Sequence, residues 1–298
     1  MSKTDKAWAQ LEIKVPNQHE ELASWCLMQI SNATGCEVIP ANGASVWVKA
    51  SFEQEAFSAE QMQQIAQSLI EHGLGEYAPT LRSGIIEQDD WLAKWKENFK
   101  SFKIGDRITI SPPWEKPDTA DGATLDIVIV IEPAMAFGTG LHATTRFCLR
   151  AMQMARLGKR ILDVGTGSGI LAIAALLLQD GIEVTAIDND PVAIEAAERN
   201  CILNDVQSKC ELIVGSTESV AGRTFDTIFS NITCEDIIAL LPCYRKLLAK
   251  DGNVICAGIL SEKLDRLVSA LPDHGFHVDF SETKGTWSGV ILRRLQDP

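Results

Sequence analysis

The sequence predicts an open α/β fold, a mostly parallel sheet covered by helices on both faces, behind a smaller α+β unit. Three observations carry that reading. From Lys159 onward, short apolar runs alternate with segments of helical spacing. One run, Ile161-Leu-Asp-Val-Gly-Thr-Gly-Ser-Gly-Ile-Leu171, breaks into three alternating glycines and restarts as a helix. Residues 7 to about 85 instead read β-α-β-β-α-β. Repeated βα units bury a parallel sheet on both faces.

In the first unit, Ala7 to Val15 alternates apolar and polar residues, and Glu20 to Ile30 has helical spacing through Leu22, Trp25, Cys26 and Met28. Cys36 to Pro40 and Ser45 to Ser51 flank Ala41-Asn-Gly-Ala44, a hairpin signal. A helix from Ser58 to His72 stops at Gly73, and Pro79 to Ile86 supplies a last strand. That order is ferredoxin-like. Asp89 to Lys100 reads as an amphipathic linker helix with Trp91, Trp95 and Phe99 on one face. Ile108 to Ser111 and Leu125 to Ile131 are strands on either side of a Pro/Asp-rich loop, Pro112 to Gly122.

Beyond Lys159, strands are expected at 160–164, 183–188, 210–214 and 225–230, with helices at 169–179, 191–203 and roughly 234–249. Asn253 to Ala257 gives a fifth strand and Glu262 to Ala270 a helix, before an antiparallel edge pair, Phe276 to Phe280 with Gly289 to Arg293. Three parts follow: a small α+β domain at 1–86, a linker helix and connecting segment at 87–117, and a larger α/β domain at 118–298.

A hydrophobic content of 46% and a charged content of 22% suit a soluble globular protein. No signal-like segment follows Met1-Ser-Lys-Thr-Asp-Lys6 and no apolar run reaches spanning length, so a cytoplasmic protein without membrane attachment is expected. The eight cysteines form no CxxC pair and no zinc-spaced cluster; buried free thiols and no metal are the expectation. A net charge of −13 disfavours direct nucleic-acid binding and would attract a basic partner. The oligomeric state expected is a monomer.

The glycine break points to a ligand. Glycines let a ligand approach the backbone, and the following helix offers its N-terminal N–H groups. A dinucleotide fingerprint needs its third glycine three residues after the second, where Ile170 stands instead. The spacing is GxGxG, with Asp163 two residues before Gly165. That acid suits a ligand carrying an ammonium, such as S-adenosylmethionine. Asp188 ends the next strand, where a carboxylate can accept hydrogen bonds from two ribose hydroxyls. Ser216 and Thr217, after the third strand, are weaker candidates for adenine contacts.

Two further segments bracket the same pocket. In Pro133-Ala-Met-Ala-Phe-Gly-Thr-Gly-Leu-His-Ala-Thr-Thr145, Gly138 and Gly140 free the backbone to curl over a ligand, and Thr144 and Thr145 can cap the next helix. His142 could act as a general base, although a histidine in a polar loop is more often structural. Ser230-Asn-Ile-Thr-Cys-Glu235 ends the fourth strand, facing the ligand crevice, and the Asn231 oxygen can accept from an amine.

With Phe137-Gly-Thr-Gly140, Thr144-Thr145, Asp163-Val-Gly-Thr-Gly-Ser-Gly169, Asp188 and Ser230-Asn-Ile232 in chain order, the sequence resembles the ribosomal protein L11 methyltransferase family. The likeness runs from about Trp91 to the C-terminus and includes Ile110-Ser-Pro-Pro-Trp114. It implies a class I methyltransferase Rossmann-like sheet with an N-terminal ferredoxin-like domain that recognises the ribosomal protein and swings on the linker. It also implies S-adenosylmethionine as cofactor and ribosomal protein L11 as substrate, methylated on lysine side chains and the N-terminal amine. Carried onto matching positions, Thr145, Gly165, Asp188 and Asn231 would contact the cofactor, with Asn231 also beside the incoming amine as the candidate catalytic residue. Phe137, Gly138, Thr139, Asp163, Thr166 and Gly167 complete the expected cofactor set.

One departure stands out. The family typically follows the Asn with Ile-Leu-Ala, whereas Thr233 and Cys234 follow Ile232 here, adding a hydroxyl and a thiol beside the amine entrance. Two alternatives stay open: a lysine methyltransferase for another protein, such as an electron-transfer flavoprotein subunit, or a cofactor-binding module without turnover.

Overall fold

A computed structural model describes residues 8–30, 33–41, 43–52, 57–86, 100–115, 127–132 and 140–295. The chain divides into two units, Met1–Phe99 and Lys100–Pro298. The expected linker helix at 89–100 lies almost wholly outside the described residues.

In the first unit, strand β1 (Trp8–Pro16) buries Leu11, Ile13 and Val15 on one face, as its alternation requires. Helix α1 (Glu20–Met28) packs Leu22, Ala23, Cys26 and Leu27 inward. Strands β2 (Ala33–Pro40) and β3 (Ser45–Phe52), helix α2 (Ala59–Glu71) and strand β4 (Arg82–Ile86) complete the unit. The sheet order β2-β3-β1-β4, antiparallel throughout, is ferredoxin-like. A reciprocal capping box starts α2: the Ser58 hydroxyl accepts from the Gln61 N–H at 3.1 Å, and Gln61 Oε1 accepts from the Ser58 N–H at 2.8 Å. The last strand starts at Arg82 rather than Pro79, because Gly75–Thr80 forms a 3-10 turn. Its Thr80 hydroxyl accepts from the Lys14 N–H at 3.0 Å and donates to the Tyr77 carbonyl at 2.7 Å.

The second unit opens with a three-stranded sheet: β5 (Phe102–Ile104), β6 (Ile108–Ser111) and β7 (Ile127–Val130), with β6 and β7 parallel. Helix α3 (Ala143–Met154) follows. Then come β8 (Arg160–Val164), α4 (Ile170–Leu178), β9 (Glu183–Asp188), α5 (Pro191–Leu203) and β10 (Cys210–Val214). The chain continues through β11 (Phe225–Asn231), α6 (Cys234–Leu247), β12 (Leu248–Leu260), α7 (Leu264–Ala270), β13 (Phe276–Lys284) and β14 (Trp287–Arg294). The seven strands β8 to β14 lie in the order β10-β9-β8-β11-β12-β14-β13. The pairs of β14 with β12 and with β13 are antiparallel and the other pairs are parallel, and the sequential order of strands reverses between β8 and β11.

Strand alternation sorts the core into two layers. Ile161, Val184, Ala186, Phe229 and Ile255 meet α3, α4 and α5, while Leu162, Val164, Ile187, Ile228 and Val254 meet α6 and α7. Ile104, Ile108, Ile110 and Ile129 belong to the first layer, and the Arg146 guanidinium lies 4.9 Å from the Phe102 ring centroid. Residues 100–115 therefore fold with the second unit rather than with the connecting segment. The boundary drawn before residue 118 moves to Lys100 because these strands bury their isoleucines against α3 and α4.

Helix α5 shows how local chemistry sets an element. The Asp190 carboxylate caps it through the Val192 N–H at 2.8 Å, and Pro191 occupies the first helical position. Beyond its C-terminal end, Asp205 is exposed with φ +56, a left-handed backbone that favours glycine. Asp205→Gly is expected to raise unfolding free energy by roughly 0.5–1 kcal/mol, read as a higher urea midpoint at unchanged m-value. A lower midpoint would contradict this account of the turn.

Candidate active site

Sheet register brings the sequence-predicted residues to one edge. Val164 pairs with Ile187 and with Ser230, and Asp188 pairs with Val214. The chain ends of β8, β9, β10 and β11 therefore deliver Gly165, Asp188, Gly215 and Asn231 side by side. Gly165 and Asn231 flank the point where the strand order reverses, the usual position of a ligand crevice in an open α/β sheet.

The turn after β8 is held by its neighbours. Gly165, Gly167 and Gly169 have φ of 69, 55 and 79, conformations in which a side chain is strained. A Cβ on Gly165 would stand 2.6 Å from Ile232 Cγ2. The Gly165 and Thr166 N–H groups donate to the Ile187 carbonyl at 2.9 and 3.1 Å, and Gly167 N–H donates to Asp188 Oδ2 at 3.0 Å. Asp188 Oδ1 accepts from the Asp190 N–H at 3.0 Å, so each carboxylate oxygen keeps acceptor capacity for one further donor.

Asp163 lies under this turn and is 1% exposed. Its Oδ2 accepts from the Thr166 hydroxyl at 2.7 Å, while its Oδ1 is buried without a hydrogen-bond partner. Burial pushes the carboxyl up to about 7, with the Asp188 charge adding to it and the Thr166 hydroxyl and the nearby Ala172 backbone N–H, which falls short of hydrogen-bond geometry, opposing it. Two more buried oxygens lack partners at the same sheet edge: Thr217 Oγ1, following β10, and Asn231 Oδ1. The Asn231 amide is turned by Thr145, whose buried hydroxyl accepts from Nδ2 at 3.3 Å. A buried polar atom left unpaired costs stability, so three at one sheet edge fit a polar ligand. The donor set is all oxygen acceptors, suited to a ligand presenting ammonium, hydroxyl and amine N–H groups. Phe137, Gly138 and Thr139 lie outside the described residues.

The family described as Ribosomal protein L11 methyltransferase matches residues 7–295. The chain belongs to the ribosomal protein L11 methyltransferase family. It is 40% identical to the ribosomal protein L11 methyltransferase of Heliobacterium modesticaldum over 70% of this chain and 65% of that protein. It is 33% identical to that of Geobacter sulfurreducens over 97% of this chain and 99% of that protein. A solved structure, the ribosomal protein L11 methylase from Lactobacillus delbrueckii subsp. bulgaricus, aligns with a TM-score of 0.61 at 32% identity, covering 66% of this chain and 100% of that one.

For this member of the L11 methyltransferase family, two sequence expectations change, the capping of α3 and the role of Thr233-Cys234, and His142 takes the structural role that is the commoner one for a loop histidine. Helix α3 is capped by His142 and not by Thr144 or Thr145: the His142 ring accepts from the Thr144 N–H at 3.4 Å, with Nδ1 2.8 Å from the Thr144 hydroxyl. Burial lowers the His142 pKa to about 4, and its ring packs edge-on against Trp287 at 4.9 Å. A ring that neutral and that weakly basic is a poor general base at neutral pH. The family departure at Thr233-Cys234 is absorbed by the fold. Thr233 caps α6 by accepting from the Asp236 N–H at 3.2 Å, and the buried Cys234 thiol points at the Lys263 carbonyl 3.6 Å away.

Sequence reasoning missed two supports of Asn231. The buried Ser230 and Tyr244 hydroxyls meet at 2.7 Å, tying the end of β11 to α6. At Gly258, with φ +84, a Cβ would stand 2.1 Å from the Ile232 carbonyl oxygen, so only glycine lets β12 pass beneath the turn after Asn231. Its signal was a glycine inside a strand run, which marks a bulge or a close backbone approach. Six cysteines are buried and two half-buried, all free, and burial pushes the Cys26 thiol up to about 12. Among the described residues no cluster could hold a metal ion, and no helix is long and apolar enough to cross a membrane.

Proposed function

We propose that this protein transfers methyl groups from S-adenosylmethionine to amines of ribosomal protein L11, lysine side chains and the N-terminal α-amine among them. The observation that carries the reading is the presence of three unpartnered buried oxygens, on Asp163, Thr217 and Asn231, at the sheet edge where Gly165 and Asp188 also stand. S-adenosylmethionine supplies an electrophilic methyl on a sulfonium. In this assignment Asp163 faces the ammonium end, Asp188 accepts from the ribose hydroxyls, and Thr217 lies toward the base. Thr145, Thr166 and Gly167 complete the cradle.

Asn231 would act on the nucleophile. A lysine ammonium, with a pKa of about 10.4 in water, must lose a proton before its lone pair can attack. Desolvation in the crevice disfavours that charge, so the proton leaves to water without a strong protein base. Asn231 Oδ1 would accept one N–H of the neutral amine and so orient its lone pair for attack. Alignment of this kind can supply most of the rate. Thr145 keeps the amide from turning its NH2 toward the amine.

The small first unit is proposed to recognise the ribosomal protein, and the net charge of −13 suits a basic substrate. A monomer working in the cytoplasm, without direct contact to nucleic acid, is the corresponding cellular reading. Incubation with methyl-labelled S-adenosylmethionine and unmodified ribosomal protein L11 is expected to label that protein on amines, mapped by intact and fragment mass. Robust cofactor binding with no transfer to L11 would overturn the substrate assignment.

A further inference from the structure

We propose that Asn200, on the last turn of α5, is a positioning residue that locks the glycine turn in its cofactor-binding shape and couples it to the end of β7. Its side chain is 1% exposed, and its amide spans two segments distant in sequence. Nδ2 donates to the Ser168 carbonyl at 2.8 Å, and Oδ1 accepts from the Glu132 N–H at 2.8 Å. One helical turn on, Asn204 grips β7 but not the glycine turn: its Oδ1 accepts from the Val130 N–H at 2.8 Å, and its Nδ2 donates to the Val130 carbonyl at 2.6 Å and to the Asn200 carbonyl of its own helix at 2.7 Å. The two side chains thus serve β7 as a neighbouring strand would, on the edge that no strand among the described residues covers.

What distinguishes Asn200 is the peptide it grips. In the turn, the Gly169 N–H donates to the Thr166 carbonyl at 3.0 Å, and Gly167 N–H donates to Asp188. The Ser168–Gly169 peptide plane is therefore held at its N–H by Thr166 and at its carbonyl by Asn200. Gly169 on one side of that plane, with Gly167 one residue before Ser168, leaves the turn unusual rotational freedom, so a side chain gripping the carbonyl removes alternative conformations. Helix α5 approaches closely enough to do this because Gly169 has no side chain: a Cβ there would stand 3.1 Å from Ala197 Cβ and 3.2 Å from Ala197 Cα. Losing the amide would leave the Ser168 carbonyl short of this donor and let the turn sample shapes that do not present its N–H groups to the ligand. The binding-competent fraction would fall, and apparent affinity with it.

The inference rests on the reading of the glycine turn as the cofactor cradle, and three variants of the full chain separate the two ideas. Calorimetric S-adenosylmethionine Kd and thermal midpoint are measured for Asn200→Ala, Asn204→Ala and Asp188→Ala. Asn200→Ala is expected to raise the Kd at least about tenfold, whereas Asn204→Ala stays within about twofold despite a comparable loss of midpoint. Equal changes in Kd for both asparagine variants, or none for Asn200→Ala, would overturn the positioning role. An unchanged Kd in Asp188→Ala would instead overturn the cradle itself. Should the alanine protein not fold, Asn200→Asp keeps the acceptor for Glu132 and, ionised at pH 8, has no donor for Ser168; the same loss of affinity is expected, and its absence counts against the proposal.

Discussion

Asn231→Ala is expected to lower kcat for methyl transfer by about 10²–10³-fold, the scale seen when one preorganised polar group facing the reacting atoms is removed. The Kd for S-adenosylmethionine should move by no more than about fivefold, because the lost interaction belongs mainly to the amine and to the transition state. The asymmetry follows from the side chain's surroundings. Its Nδ2 is engaged by the Thr145 hydroxyl, while its Oδ1 is buried with no partner. Thr145→Val keeps the volume but removes the acceptor that sets the amide's orientation, so a smaller loss, about tenfold in kcat, is expected there. Single-turnover kinetics with the ribosomal protein and calorimetry with the cofactor read the two quantities separately. An unchanged single-turnover rate in Asn231→Ala would remove this residue from the chemistry.

Much of this site could be read along the chain because its parts are local. Asp163 and the three glycines, Asp188 before Asp190-Pro191, and Asn231 each close a short apolar run, and strand ends in a parallel sheet necessarily share one edge. Strands at 160–164, 183–188 and 210–214 fall at the residues expected because each is a dense apolar run closed by a glycine turn or an acid at its end. What escaped reading is non-local. His142 displaces Thr144 as the cap of α3 through a ring held by tertiary burial against Trp287, and no propensity foresees that. The amides of Asn200 and Asn204 reach backbone 68 and 74 residues earlier in the chain, so their spacing within α5 looks like ordinary polar surface. Residues 100–115 were set apart as a connection because their strands are short, and the parallel pairing of β6 with β7, distant in sequence, is visible only in three dimensions. Thr233 and Cys234 looked like substrate-side changes, yet the hydroxyl caps a helix and the thiol is buried.

Cofactor affinity is expected to rise about tenfold per pH unit as pH increases toward 7 and to level off above it, with Asp163 as the titrating group. Burial holds this carboxyl at about 7 in the folded protein, whereas an unfolded aspartate titrates near 3.9. Between those values the folded state keeps the proton and the unfolded state has lost it. Free-protein stability therefore falls as pH rises from about 4 to about 7 and stays low above it, by as much as about 4 kcal/mol. An ammonium beside Oδ1 reverses that preference by favouring the carboxylate, so binding below pH 7 must expel a proton. At pH 6 calorimetry in buffers of different ionisation enthalpy should report release of close to one proton per cofactor, about 0.9 for a group with this pKa. Asp163→Asn separates the two roles. Its amide carries no charge to desolvate, so the free variant should unfold at higher temperature than the parent at pH 8 and at nearly the same temperature at pH 4. Its cofactor affinity should be weaker at pH 8 and flat between pH 5 and 7. A parent whose affinity is already flat over that range, with no proton released, would show that Asp163 does not face the ligand's charge. The stability given up above pH 7 by the free protein would then need another explanation than a carboxylate held ready for a cation.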